Sequence, residues 1–128
     1  MAVAAGLFYS LRAPSAALPG PLGQLQSHFA SQGLKLDATL VRPPQQNEVQ
    51  KSSRFRTRDG RLFYVYWCQD LAAAQKTLAR VRSGPSPSLN AAKGPLVIFL
   101  TGWDAADPLA KQVLAAFESW PEQEALTH

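Results

Sequence analysis

Cysteine is nearly absent from this chain: Cys68 is the one example in 128 residues. An internal disulfide is excluded, and so is a zinc site built on paired cysteines. Histidine is almost as scarce, with His28 inside the chain and His128 at its last position. No apolar run approaches the ~20 residues that a helix needs to cross a bilayer. Neither G-x-S-x-G nor H-E-x-x-H occurs, which removes two common catalytic frameworks. No internal repeat and no coiled-coil heptad is visible. Charged residues form only 17% of the chain, a thinner basic density than a dedicated nucleic-acid binder carries.

What remains fits a single globular domain. The 46% apolar content is enough for one core. Net charge is +4, which suits an acidic protein partner, a nucleic acid or an anionic membrane surface. No cofactor is expected, because no ligand constellation stands out.

The richest segment is Ser52-Ser53-Arg54-Phe55-Arg56-Thr57-Arg58-Asp59-Gly60-Arg61-Leu62-Phe63-Tyr64-Val65-Tyr66-Trp67-Cys68. Asp59-Gly60 between two β-prone runs signals a hairpin. Loop length decides which side chains share a face. A two-residue loop puts the arginines on one face with Phe63, Val65 and Trp67, burying charge or exposing an apolar stripe. A three-residue loop, Arg58-Asp59-Gly60, sets Thr57 opposite Arg61, Phe55 opposite Phe63 and Ser53 opposite Val65. One face then carries Phe55, Phe63, Val65 and Trp67, and the other carries Arg54, Arg56, Leu62, Tyr64 and Tyr66. Register follows the pairing that buries the apolar set, so the second is predicted.

Along the chain, Ala2 to Leu11 is apolar and a Pro/Ala linker follows. Residues 1–20 are read as an apolar segment plus linker, 21–120 as one domain and 121–128 as a polar tail. The apolar start fits an N-terminal strand, the end of a membrane anchor or a short amphipathic surface segment. Helices are predicted over residues 22–32, 71–82 and from Pro108 to Trp120. Leu22, Leu25 and Phe29 line the first. Leu71, Ala74, Leu78 and Val81 line the second, and Leu109, Val113, Leu114, Phe117 and Trp120 the third. Asp70 and Asp107 are the N-caps. Residues 35–41 alternate as a half-buried strand, and residues 83–88 read as a loop. Residues 95–101 form a continuous apolar run, the pattern of a strand covered on both sides. The sum is an α+β domain: two layers, with a mostly antiparallel sheet of about four strands and three helices on one face.

Asp59-Gly60, Val65-Tyr66-Trp67, Leu71-Ala72-Ala73-Ala74 and Lys93-Gly94-Pro95-Leu96-Val97-Ile98 occur in an order that resembles small bacterial cell-envelope α+β domains with no assigned activity. The resemblance implies a tethered or exported binding domain at the cell envelope and carries over no catalytic residue.

The candidate contact surface is therefore the Arg/Tyr face: Arg54, Arg56, Tyr64 and Tyr66, with Arg58 and Arg61 at the turn. Guanidinium groups suit phosphates or carboxylates, and the rings suit bases; the same pattern also occurs on ordinary solvated sheet faces, where Arg stems cover Tyr rings. Trp103, in a turn, marks a contact if exposed and lids the core if buried. Three functional classes follow. The first is a non-catalytic binding or assembly domain, tethered or part of a complex, with a protein partner. The second is a nucleic-acid-binding domain using the Arg/Tyr face. The third is a small enzyme with a site near Cys68, Asp104 and Asp107.

Overall fold

In the computed structural model, residues 18–45, 48–84 and 88–120 are described. They form α1 (Gly20–Ser31), β1 (Asp37–Val41), β2 (Val49–Arg56), β3 (Leu62–Cys68), α2 (Leu71–Ser83), β4 (Ser88–Lys93), β5 (Leu96–Thr101) and α3 (Pro108–Glu118). The apolar start, most of the linker and the polar tail lie outside the described residues. The order in the sheet is β1-β2-β3-β5-β4, and every neighbouring pair is antiparallel.

The predicted hairpin register holds. Phe55 pairs with Phe63, Ser53 with Val65 and Arg54 with Tyr64. The Thr57 N–H donates to the Arg61 carbonyl at 2.9 Å, closing the three-residue loop. Gly60 takes φ of 90°, a conformation open to glycine and costly for residues with a Cβ. Phe55, Phe63 and Val65 are fully buried on the first face. The two phenylalanine rings stack at 5.1 Å between centroids. Phe29 of α1 meets them edge-on, at 5.6 Å from Phe55 and 5.9 Å from Phe63. Leu96, Ile98 and Leu100 of β5 extend this floor, and α1 and α3 cover it with Leu22, Leu25, Val113 and Phe117. Trp120 closes the end, and Leu18 joins the same core just ahead of α1. Trp67 is half-buried against this cluster instead of central to it.

Two expectations are corrected. The sheet has five strands, and its helices do not share one face. Val49, Cys68 and Val97 form a second buried cluster with Ala73, Ala74 and Leu78 of α2. Leu96 and Ile98 belong to the first cluster while Val97 between them belongs to the second. Successive strand residues point to opposite faces, so α2 lies across the sheet from α1 and α3. The cause is the unbroken apolar run of β5: without polar alternation, such a strand needs cover on both sides. The apolar stripe of α2 also differs. Leu71 is 55% exposed, whereas Ala73, Ala74, Thr77 and Leu78 are buried. Small side chains at 73 and 74 bring this helix close to the sheet.

The fifth strand, β4, falls partly in the predicted loop. Ser88-Leu89-Asn90-Ala91-Ala92-Lys93 has little intrinsic β character. It pairs because Gly94-Pro95 returns the chain directly, setting Lys93 opposite Leu96 and Asn90 opposite Phe99.

The entry to α1 is sterically tight. A Cβ added at Gly23 would lie 2.3 Å from the Leu18 carbonyl oxygen. Gly23→Ala should therefore lower stability by about 1–3 kcal/mol, as other overpacked sites do. Urea unfolding checks this, with exposed Gln24→Ala as a control expected to stay within about 0.5 kcal/mol of the wild type.

Candidate functional site

β-strand alternation places Asp37, Thr39, Arg54, Arg56, Leu62 and Tyr64 on the second face of the sheet. α2 covers the β4-β5 side of that face and the Cys68 end of β3. The part formed by β1, the Arg54 to Arg56 end of β2 and the start of β3 carries no helix among the described residues; the Val49 end of β2 lies under α2. Across it runs a row set by strand pairing: Thr39, Arg54, Tyr64, Phe99 and Asn90. Tyr64 stacks on Phe99 at 5.7 Å, and Tyr66 meets Phe99 edge-on at 4.8 Å. Arg82 of α2 borders the far end, its Nε donating to Asn90 Oδ1 at 2.8 Å.

Arg54 and Arg56 are exposed. With Asp37 and Thr39 they line a shallow concavity of about 220 Å³. Arg56 Nη2 lies 3.4 Å from Asp37 Oδ2, and these side chains are 59% and 81% exposed. Such solvated pairs contribute about 0–1 kcal/mol, so Arg56 is free to exchange this partner for another carboxylate or phosphate. Tyr66 is a weaker contributor than the sequence suggests. It is half-buried against the α2 cluster, and burial pushes its hydroxyl pKa above the ordinary tyrosine value.

Arg61 and Trp103 belong elsewhere. Thr57 and Arg61 lie on the first face, in phase with Phe55 and Phe63. The Arg61 guanidinium sits over the Trp103 ring at 4.4 Å and pairs with Asp107 and, at 3.0 Å, with Asp59. Trp103 packs edge-on against Phe63 at 6.0 Å, and its Nε1 donates to the Leu62 carbonyl at 3.0 Å. It is a half-buried lid with all its polar capacity used. Asp107 also caps α3, accepting from the Leu109 N–H at 2.8 Å. This group latches the hairpin tip to the start of α3. Arg58 is exposed in the turn itself. It lines a different concavity, of about 270 Å³, with Lys35, Leu36, Arg56 and Ala30.

The residues of the enzyme reading do not converge. Cys68 ends β3 in the α2 cluster, while Asp104 and Asp107 lie beyond the Leu62 end of that strand. A strand of this length separates its ends by roughly 20 Å. Asp104 accepts from the Ala106 N–H at 2.9 Å in its own turn. Cys68 is buried, its thiol pKa pushed up by burial, with Thr77 Oγ1 at 3.5 Å. Among the described residues, no three His, Cys, Asp or Glu side chains cluster as metal ligands. No helix among them is long and apolar enough to cross a membrane.

The chain matches no protein-family model, no curated protein and no solved structure.

Two outcomes follow. The Arg61 hydrogen bond, then the Leu109 amide, hold the Asp107 carboxyl below its ordinary value of 3.8. A depressed carboxyl stabilises the fold above its unfolded pKa, and that stability is lost as pH falls through the folded pKa. Urea midpoints of the wild type should therefore drop below about pH 4, and Asp107→Asn should start lower and show a flatter acid limb. An unchanged acid limb would show that the latch adds nothing. Separately, alkylation of Cys68 should be slow in the native protein and should accelerate only as global unfolding proceeds.

Proposed function

We propose that this protein is a non-catalytic binding domain whose contact surface is the part of the second sheet face that α2 leaves bare. One observation carries this reading. Arg54 and Arg56 stand exposed beside Tyr64, with Asp37 as the carboxylate within reach and no structural duty for either guanidinium. The other basic residue near the hairpin tip with several partners, Arg61, is consumed by the latch. Exposed guanidiniums recognise planar anions in a bidentate manner, so the partner is an acidic protein segment. Support also comes from Tyr64: Phe99 occupies one face of its ring, which leaves less stacking surface than a base-binding platform uses.

Titration of the ¹⁵N-labelled protein with a polyglutamate peptide tests the reading. Backbone shifts should map to β1, β2 and the start of β3, and binding should weaken as salt rises. Arg54→Glu combined with Arg56→Glu should reduce affinity at least about tenfold, the equivalent of 1.4 kcal/mol, while leaving the unfolding midpoint near that of the wild type. An oligothymidylate that binds far more tightly than polyglutamate would transfer the surface to single-stranded nucleic acid. Absence of binding to both at low salt would remove the reading.

A further inference from the structure

β1 is an edge strand. It pairs with β2 on one side, and no described segment pairs with its other side. Its outward backbone N–H and C=O groups form a row open to a further strand. Proteins commonly protect such an edge with proline, inward-facing charge or a covering loop. β1, with the sequence Asp-Ala-Thr-Leu-Val, has none of these within it; its one charge, Asp37, points to the open face.

The two sides of this edge differ in chemistry. On the first face, Ala38 and Leu40 alternate with Leu36 just before them, and Leu40 is 47% exposed. The concavity beside Leu36, of about 270 Å³, has Ala30, Leu34 and Leu36 in its wall together with Lys35, Arg56 and Arg58. On the second face lie Thr39 and the concavity of Arg54 and Arg56, about 220 Å³. A strand added to β1 would send successive side chains alternately into these two environments. Apolar side chains fit against Leu36 and Leu40 on the first face, and carboxylates fit Arg54 and Arg56 on the second. The opposite edge, β4, is less suited, because α2 packs along it.

We propose that β1 receives an extended partner segment as a sixth strand, and that this segment alternates apolar and acidic residues. The proposal rests on the binding-domain reading above and specifies how the partner engages: backbone pairing along Asp37–Val41 supplies the docking, and Arg54 with Arg56 select the acidic positions.

The probe is a peptide alternating glutamate and valine, with two N-methylated versions. One carries N-methyl groups on every other amide, and the second carries them on the remaining amides. Only one set of amides faces β1 in an added strand. One version should therefore lose affinity by at least about tenfold, because it removes the backbone hydrogen bonds to β1, and the other should bind nearly as well as the parent. Amide hydrogen exchange at residues 37–41 should slow on binding. Leu40→Lys should weaken binding without lowering the unfolding midpoint. Equal sensitivity to both methylation patterns, unchanged exchange in β1, or no binding of the parent peptide would each overturn the proposal. So would peptide-free self-association through β1, detected by sedimentation together with slowed exchange there. Loss of polyglutamate binding in the double charge reversal reports on the surface separately. If that loss persists while methylation phase has no effect, the basic surface stands and the added strand does not.

Discussion

The loop Arg58-Asp59-Gly60 is the constraint on which the sheet depends. The hydrogen bond from the Thr57 N–H to the Arg61 carbonyl sets its length, and the length sets the parity of every pair between β2 and β3. Shortening the loop by one residue would put Arg54 and Arg56 on the same face as Phe63 and turn Phe55 to the opposite face. Moving a Phe out of a core forfeits about 1.5–3 kcal/mol, and each guanidinium left inside would cost several kcal/mol more. Stacked Phe55 and Phe63 and exposed Arg54 and Arg56 are two results of the same parity. The core and the proposed contact surface are therefore not independent features of this domain.

The tip of the hairpin is tied down from a second direction. Arg61 joins Trp103, Asp59 and Asp107, so one guanidinium touches the hairpin turn, the loop after β5 and the cap of α3. Asp59 is held in turn by the Thr57 hydroxyl and by Arg61, which together keep its carboxyl below the ordinary value. The sharing explains why four arginines close together in sequence have different roles. Parity sends Arg54 and Arg56 to one face and Arg61 to the other, and Arg58 falls in the turn. Equal spacing in a sequence does not mean an equal environment once a turn intervenes.

Much of this was legible from residue order. The hairpin register, the caps at Asp70 and Asp107, and the buried faces of α1 and α3 follow from local chemistry and periodicity. Two features were not legible, for different reasons, and a third was signalled by one strand alone. β4 lacks β-prone side chains, and its pairing is imposed by the Gly94-Pro95 turn and by the neighbouring strand. In α2, Leu71 seemed a core residue by periodicity, yet the buried stripe is made of Ala73, Ala74, Thr77 and Leu78. A helix that seats on alanines hides a weaker hydrophobic signal than one that seats on leucines. The placement of α2 on the opposite face was carried by β5, whose continuous apolar run already required cover on both sides. Within the candidate site, the grouping of Arg54, Arg56 and Tyr64 was readable from alternation, whereas the diversion of Arg61 and Trp103 needed the long-range approach of α3.

The position of α2 also sets where the proposed contact surface lies. An α-helix with its side chains is about 10 Å across, roughly two strand spacings of about 4.8 Å, and the sheet has five strands. One such helix seats along β4 and β5, the Cys68 end of β3 and the Val49 end of β2, and it leaves β1 and the Arg54 to Arg56 end of β2 uncovered. Residues under it are correspondingly apolar or small: Val97, Cys68, Ala92. Residues beyond it are arginine, threonine and aspartate. The division coincides with the side of the sheet whose edge strand, β1, has no described strand on its outer side. A side chain under no packing demand can carry charge, and an edge without a neighbour can accept one. In β1 and β2 both conditions meet on neighbouring strands, which is the arrangement that the proposed docking requires.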